Sequence, residues 1–279
     1  MKTSRILWLP LIASALLLCQ CGVVNAVGSI FVSEQDEMQL GAEFDKQLHD
    51  STASFPVYAP RVGHPEDTAF QNYVVNLAQS IVASVPSDEK PSYPFKFTII
   101  DKDVVNAFAV PGGYVYIYTG IIARMKNESE LACVLGHEIT HVTHHHYRDA
   151  MVKDQALGLL VQVLLGRDSS QLVQLVANGF STLAALKISR DNETDADTYG
   201  VRKAAAIQRN PMGIATFFRR MDDQGVPAVF STHPPSPDRV LADSLEVYGD
   251  STLKALALDT LHSNATANFL SHTAAIPPK

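Results

Sequence analysis

The feature that most constrains this chain is His137-Glu138-Ile139-Thr140-His141, set in the apolar stretch 131–146, LACVLGHEITHVTHHH. Residues four apart share one face of an α-helix, about one turn apart along its axis. Both imidazoles can therefore reach a single metal ion. Glu138 follows the first histidine, so its carboxylate projects beside that ion, where it can take a proton from an attacking water. The helical setting is consistent: Asn127 or Ser129 can cap the start, Glu128 and Glu130 suit the positive end, and Leu131, Val134 and Leu135 supply an apolar stripe. The same five residues also occur by chance in helices whose histidines are merely solvated, so the rest of the chain has to decide.

A length of 279 residues with 46% apolar and 18% charged side chains suits one globular domain with a sizeable core. Residues 1–26 differ in character from the remainder of the chain. Lys2 and Arg5 precede the apolar run 6–18, and Val24-Asn25-Ala26 offers small residues for cleavage, which is the pattern of a secretory signal rather than a membrane span. Cys19 and Cys21 leave a second option, a lipid-anchored cysteine, although Leu18 and Gln20 are not the small residues such a site prefers. The formal charge is −7, and removing the leader takes away Lys2 and Arg5 but no acid. An acidic chain without a basic stripe is a poor nucleic-acid binder. Without the leader, Cys133 is the one cysteine left, so no internal disulfide is expected, and the small core role suits it better than ligation. Asn192-Glu193-Thr194 matches a glycosylation sequon, but a glycan there would crowd the site argued below, which favours a bacterial envelope.

Periodicity predicts helices over 33–48, with Ser33 as cap, and over 67–83, with Phe70, Val74, Leu77, Ala78 and Ile81 on one side. A strand is expected over 95–100 and two strands joined by a turn over 106–120, with Pro111-Gly112 at the turn because glycine accepts positive φ. Tyr114, Tyr116 and Tyr118 alternate with Val115 and Ile117, so that strand has two apolar faces. It is either a buried hairpin under the metal helix or also an edge that holds an extended peptide by backbone pairing. The apolar segments 156–165 and 172–186 are too short to cross a bilayer and are expected as a helical hairpin packed on the domain, with membrane-surface contact the alternative. Helices are expected over 189–208, 211–221 and 238–248, a proline-rich loop over 222–237, and a tail over 250–279 with room for one more helix before a frayed end. One domain over 27–249 is the resulting organisation.

Catalytic zinc sites have three protein ligands and leave one position for water. His144, His145 and His146 are near, but a straight helix carries His145 a further turn from His137. The metzincin pattern would need glycine and histidine where this chain has His144 and Tyr147. The three histidines are read as a polar helix end, favoured there by the dipole, with adventitious metal binding open to them. The segment 189–197, SRDNETDAD, is the better place. Glu193 and Asp197 are four apart, so one carboxylate can ligate while the other accepts the far N–H of a ligand histidine. Ala196 would allow close helix packing.

Asn106-Ala107-Phe108-Ala109, Pro111-Gly112-Gly113, His137-Glu138-x-x-His141, Glu193-x-x-x-Asp197 and Thr232-His233-Pro234-Pro235 with Arg239 occur in that order. With these motifs, residues 33–248 resemble the HtpX and CAAX-prenyl-protease-like zinc metallopeptidases, and within them the compact envelope members. The resemblance implies a mostly helical α+β fold: a single zincin-like catalytic domain of the gluzincin kind, with a small sheet beside the metal helix. It implies one Zn2+ per chain on His137, His141 and Glu193, Glu138 as general base, Asp197 behind a ligand, and His233 and Arg239 near the transition state. Neither the family's membrane spans nor an appended helical-repeat region is evident here.

The expected reaction is hydrolysis of internal peptide bonds in misfolded or regulated envelope polypeptides, in a periplasmic or lipid-anchored protein. Asn106, Ala107, Phe108 and Gly113 would align the substrate backbone. His233, on its stiff proline segment, is either a donor to the oxyanion, a latch that swings onto the open metal position, or a plain loop histidine. Arg239 either stabilises the same charge or pairs with an acid such as Asp238. The competing reading is a holdase or assembly factor with a structural or latent zinc site. Glu138 argues against it, since a structural site needs no carboxylate beside the open position.

Overall fold

The computed structural model describes residues 33–153, 188–223, 237–259, 265–274 and 276. The leader 1–26, the apolar segments 156–165 and 172–186, and the Thr232-His233-Pro234-Pro235 motif lie outside the described residues.

Helix α1 (Glu34–Asp50) starts at the expected cap: Ser33 Oγ accepts from the Asp36 amide, and the Asp36 carboxylate accepts from the Ser33 amide in return. Helix α2 (Pro65–Ser84) has proline in its first turn, where a missing N–H removes no helical bond. Its buried side, Phe70, Val74, Leu77, Ala78 and Ile81, is the one read from the spacing.

Strands β1 (Lys96–Ile100), β2 (Ala107–Val110) and β3 (Tyr114–Tyr118) form a sheet in the order β1-β3-β2. β3 pairs parallel with β1 and antiparallel with β2, with Lys96 opposite Tyr114 and Phe108 opposite Tyr116. The hairpin turn needs its glycines. Gly112 and Gly113 have φ of 80° and 89°, and a Cβ on Gly113 would lie 2.5 Å from the Pro94 carbonyl oxygen. Alternation splits the sheet between two apolar clusters. Ala107, Ala109, Val115 and Ile117 join the main core with α2, while Phe108, Val110, Tyr116 and Tyr118 pack on Phe44 and Leu48 of α1. The expected second strand of the hairpin runs shorter than 120: helix α3 (Thr119–Arg124) begins at Thr119. The chain bends there because Thr119 Oγ1 donates to Asp101, and Gly120 comes so close to Val104 that a Cβ would meet its backbone at 2.4 Å.

Helix α4 (Glu128–Thr143) carries the HExxH residues and is buried along its whole length. Asn127 is the cap, accepting from the Glu130 amide at 3.1 Å; Ser129 is used elsewhere, its Oγ accepting from the Asn210 amide. The acids expected to complement the dipole do more than that. Glu130 takes both arms of Arg220 at 2.6 Å, and Glu128 is bonded by Arg209, Tyr73 and Asn268. These pairs tie the start of α4 to α2, to the turn before helix α7 (Gly213–Asp223), to α7 itself, and to helix α10 (Thr266–Thr273). After α4 come helices α5 (His146–Lys153) and α6 (Arg190–Ala206); α6 starts at its cap Ser189, which accepts from the Asn192 amide. Helices α8 (Pro237–Gly249) and α9 (Ser251–Leu258) follow α7. Residues 250–279, read as a tail, contain α9 and α10, whose Leu253, Ala257 and Phe269 enter the main core. No helix among the described residues is long and apolar enough to cross a membrane.

Candidate metal centre

The site depends on how closely two helices approach. A Cβ on Gly136 of α4 would lie 2.6 Å from the Gly200 carbonyl oxygen, and one on Gly200 of α6 would lie 2.8 Å from the His137 amide nitrogen. Only glycine at both positions permits that contact. Ala196, the residue singled out from sequence, is fully buried in the same interface. The crossing sets the acidic face of α6 against the histidine face of α4.

His137 and His141 turn their Nε2 atoms toward one another, 3.0 Å apart. Glu193 completes the group, with its carboxylate oxygens 3.7 Å from His137 Nε2 and 3.8 Å from His141 Nε2. These three donor atoms lie within 4.8 Å of each other and all three residues are buried. Two imidazoles and one carboxylate are the donor set of a catalytic zinc site, so the residues present fit the metal. Glu138 is also buried, one residue beyond His137.

The second nitrogen of each histidine has its own neighbour. His137 Nδ1 lies 2.9 Å from the Asp197 carboxylate, leaving Glu193 toward the Nε2 atoms and Asp197 behind. Arg239 of α8 spans both acids: Nε and Nη2 donate to Asp197 at 2.6 and 2.7 Å, and Nη1 lies 2.8 Å from Glu193. Its guanidinium is thus engaged by two carboxylates of α6. Burial works to raise the Asp197 carboxyl, but the hydrogen bonds from Arg239 and His137 outweigh it and hold it below the usual range. Asp243, one turn along α8 from Arg239, goes the other way. Burial, reinforced by the Asp197 charge and opposed by Arg239, pushes its carboxyl up to about 8.

His141 Nδ1 meets His146 Nδ1 at 2.9 Å. This contact departs from the expectation that the three histidines form one polar helix end. The helix stops at Thr143, and His145 takes φ of 54°, in the left-handed region. His145 therefore swings away to donate to Glu37, while His146 returns to the metal helix. The far nitrogen of His146 lies 3.1 Å from Asp195, which His144 Nδ1 also contacts at 2.5 Å. Burial lowers the His146 imidazole below its ordinary value. For Asp195, burial acts upward, and hydrogen bonds from both histidines override it and hold the carboxyl well below the usual range.

Tyr147 carried no functional signal in the sequence. Its buried hydroxyl is bonded by the Ala109 backbone and sits in the field of Glu138 and Glu193; burial and those charges raise it well above its ordinary value. The pattern marks position 147 only as a residue that is not histidine, and nothing in it points to a tyrosine. Asn106 is buried just before β2, and its carbonyl accepts from the Tyr118 amide. Ala107 faces the main core, whereas the Phe108 ring lies on the other side of the sheet, stacked on Tyr116 at 4.8 Å. Phe108 can thus offer substrate its backbone but not its ring, and Gly113 sits in the hairpin turn against Pro94. Cys133 is a buried free thiol in the main core, and burial pushes it up to about 12.

The family model of Peptidase family M48 matches residues 68–243. The beta-barrel assembly-enhancing protease of Escherichia coli (strain K12) is 32% identical over 224 residues, covering 75% of this chain and 43% of that protein. The mitochondrial metalloendopeptidase OMA1 of Schizosaccharomyces pombe is 32% identical over 176 residues, 60% of this chain and 50% of that one. A protease HtpX homolog of Salinibacter ruber is 28% identical over 184 residues, 52% of this chain and 65% of that one. The chain spans less than half the length of the bacterial assembly-enhancing relatives.

Proposed function

Since this chain belongs to peptidase family M48 and its catalytic domain is that of a metallopeptidase, we propose that it is a zinc-dependent endopeptidase acting on misfolded or regulated polypeptides of a bacterial cell envelope. The observation that carries this reading is the buried group of His137, His141 and Glu193 beside Glu138. We assign the three as ligands of one zinc and Glu138 as the base. The name of the Escherichia coli relative, which refers to β-barrel assembly, supports the envelope setting.

Bound zinc supplies Lewis-acid polarisation of the water and of the scissile carbonyl. Glu138 takes the proton of the attacking water and delivers it to the leaving amine, a role typically worth about 10²–10⁴-fold in rate. Asp197 holds the proton of His137 on Nδ1 and so presents Nε2 as a donor pair. Arg239 acts through the two carboxylates, fixing Glu193 and Asp197 at one distance from α8. β2 lies at one edge of the described sheet, next to β3 alone. An extended substrate can add to it by backbone pairing, aligned from Asn106 through Ala107 and Phe108 with Gly113 closing the hairpin. His233 is assigned to the oxyanion, supported by its stiff Thr232-His233-Pro234-Pro235 setting. Lower activity with unchanged zinc affinity in His233→Ala would favour that role over a latch on the metal.

The test is cleavage of unfolded casein by the zinc-loaded protein beside Glu138→Gln, with zinc content measured in both. The expected result is cutting by the first, a loss of about 10² or more in the second, and equal zinc in both. If neither cuts while both hold zinc, the chain is either latent or binds polypeptides without cleaving them, and the same assay with His233 replaced separates the two: cleavage gained marks latency, and none defeats the reading.

A further inference from the structure

Outside the proposed catalytic group, a second set of donors converges. His144 Nδ1, His146 Nε2 and an Asp195 carboxylate oxygen lie within 4.8 Å of one another. The set is again two imidazoles and one carboxylate, but it differs from the first in two respects. It is reachable, since the His144 and Asp195 side chains are 20% and 34% exposed, and its His146 also touches the ligand His141. We propose that His144, His146 and Asp195 form a second, weaker site for a divalent transition metal of borderline softness, zinc itself among them, and that filling it weakens the catalytic zinc. The proposal rests on the metallopeptidase reading only for its effect on activity.

The donors suit the ion. Zinc holds imidazole and carboxylate donors at about 2.0–2.2 Å, which spaces tetrahedral donors roughly 3.3 Å apart. His146 Nε2 and Asp195 are already 3.1 Å apart, and His144, closer to Asp195 at 2.5 Å, is half-buried on the segment between α4 and α5. Admitting a metal requires each histidine to move its proton to the other ring nitrogen. For His144 this is easy: its Nε2 then faces the Glu89 carboxylate, 3.9 Å away. No proton leaves the protein and none is taken up.

For His146 the shift has a consequence. When His141 ligates through Nε2, its proton sits on Nδ1 and donates to His146 Nδ1, so the proton of His146 is on Nε2, pointing at Asp195. Metal on His146 Nε2 reverses this and puts a proton on Nδ1. Two N–H groups then face each other across 2.9 Å. One histidine must rotate or one metal must leave. The two sites therefore oppose each other by linkage, and the affinity lost at each is the same. Partners that orient a ligand histidine are worth about 10–100-fold in metal affinity, which sets the expected size.

The experiment titrates metal-free full chain with zinc, reading stoichiometry directly and casein cleavage in parallel, for the unaltered protein, His144→Ala and Asp195→Asn. His144 is outside the proposed catalytic machinery, so His144→Ala should keep basal activity. The unaltered protein should bind two zinc ions, the second about tenfold or more weaker, and cleavage should fall as the second binds. Both variants should bind one, and His144→Ala should stay active at zinc concentrations that inhibit the parent. A single zinc at every concentration, or a second zinc retained in both variants, would overturn the site. Two zincs with no change in cleavage would overturn the coupling. Two zincs dependent on His144 in a protein that never cuts would uphold the site and defeat the metallopeptidase reading instead.

Discussion

The two histidines of α4 are supported in different ways. Behind His137 stands a carboxylate, Asp197, held by Arg239 in a buried ion pair. Behind His141 stands an imidazole, His146, which passes the interaction on to the half-exposed Asp195. A charged acceptor directly on a ligand histidine raises its basicity more than a neutral ring does, and burial strengthens that effect. The first arm is therefore rigid and electrostatic, and the second is adjustable, since its middle member can carry its proton on either nitrogen.

The largest effect is expected from breaking the charged arm at its base. Arg239→Ala leaves Asp197 and Glu193 as buried acids without their cation and should destabilise the metal-free protein by about 3–5 kcal/mol, read by urea unfolding. A loss below 1 kcal/mol would mean that the two arms are alike in strength. Next comes a direct comparison. Asp197→Asn should weaken zinc binding toward the upper end of about 10–100-fold, and His146→Leu toward the lower end, measured by competition with a chelator. If His146→Leu proves the more damaging, the ranking of the arms is reversed. A further test concerns Asp243, beneath the charged arm. Its carboxyl is raised to about 8 in the folded protein from an ordinary value of 3.8. The folded form thus keeps a proton that the unfolded chain sheds. The associated stability is full below about pH 4 and is lost as pH rises to about 8. Asp243→Asn should flatten that decline, compared by urea unfolding of metal-free protein at pH 5 and pH 8; an unchanged slope would show that Asp243 ionises normally.

Much of the fold is legible locally. The Ser33 cap, the apolar side of α2 and the Pro111-Gly112 turn are each written in a few neighbouring residues. The site is legible where it lies within one helix, as with His137, Glu138 and His141. Where two helices meet, spacing indicates a pair of acids and leaves open which would face the metal. Spacing also misses Tyr147 and the His146 contact, because a reversal at His145 through φ of 54° is invisible to a pattern that assumes a straight helix.

The sequence alone thus determined the histidine face of α4, the capped helices and the hairpin, because each depends on bonds and periodicities spanning a few residues. Only the tertiary structure decided that Glu193 lies toward the Nε2 atoms with Asp197 behind, that Arg239 joins them, and that His146 backs His141. The placement of Glu193 and Asp197 rests on residues about 60 positions from His137 being brought into contact where Gly136 and Gly200 let α4 and α6 touch backbone to backbone, and the His146 contact rests on the reversal at His145; no local preference encodes either.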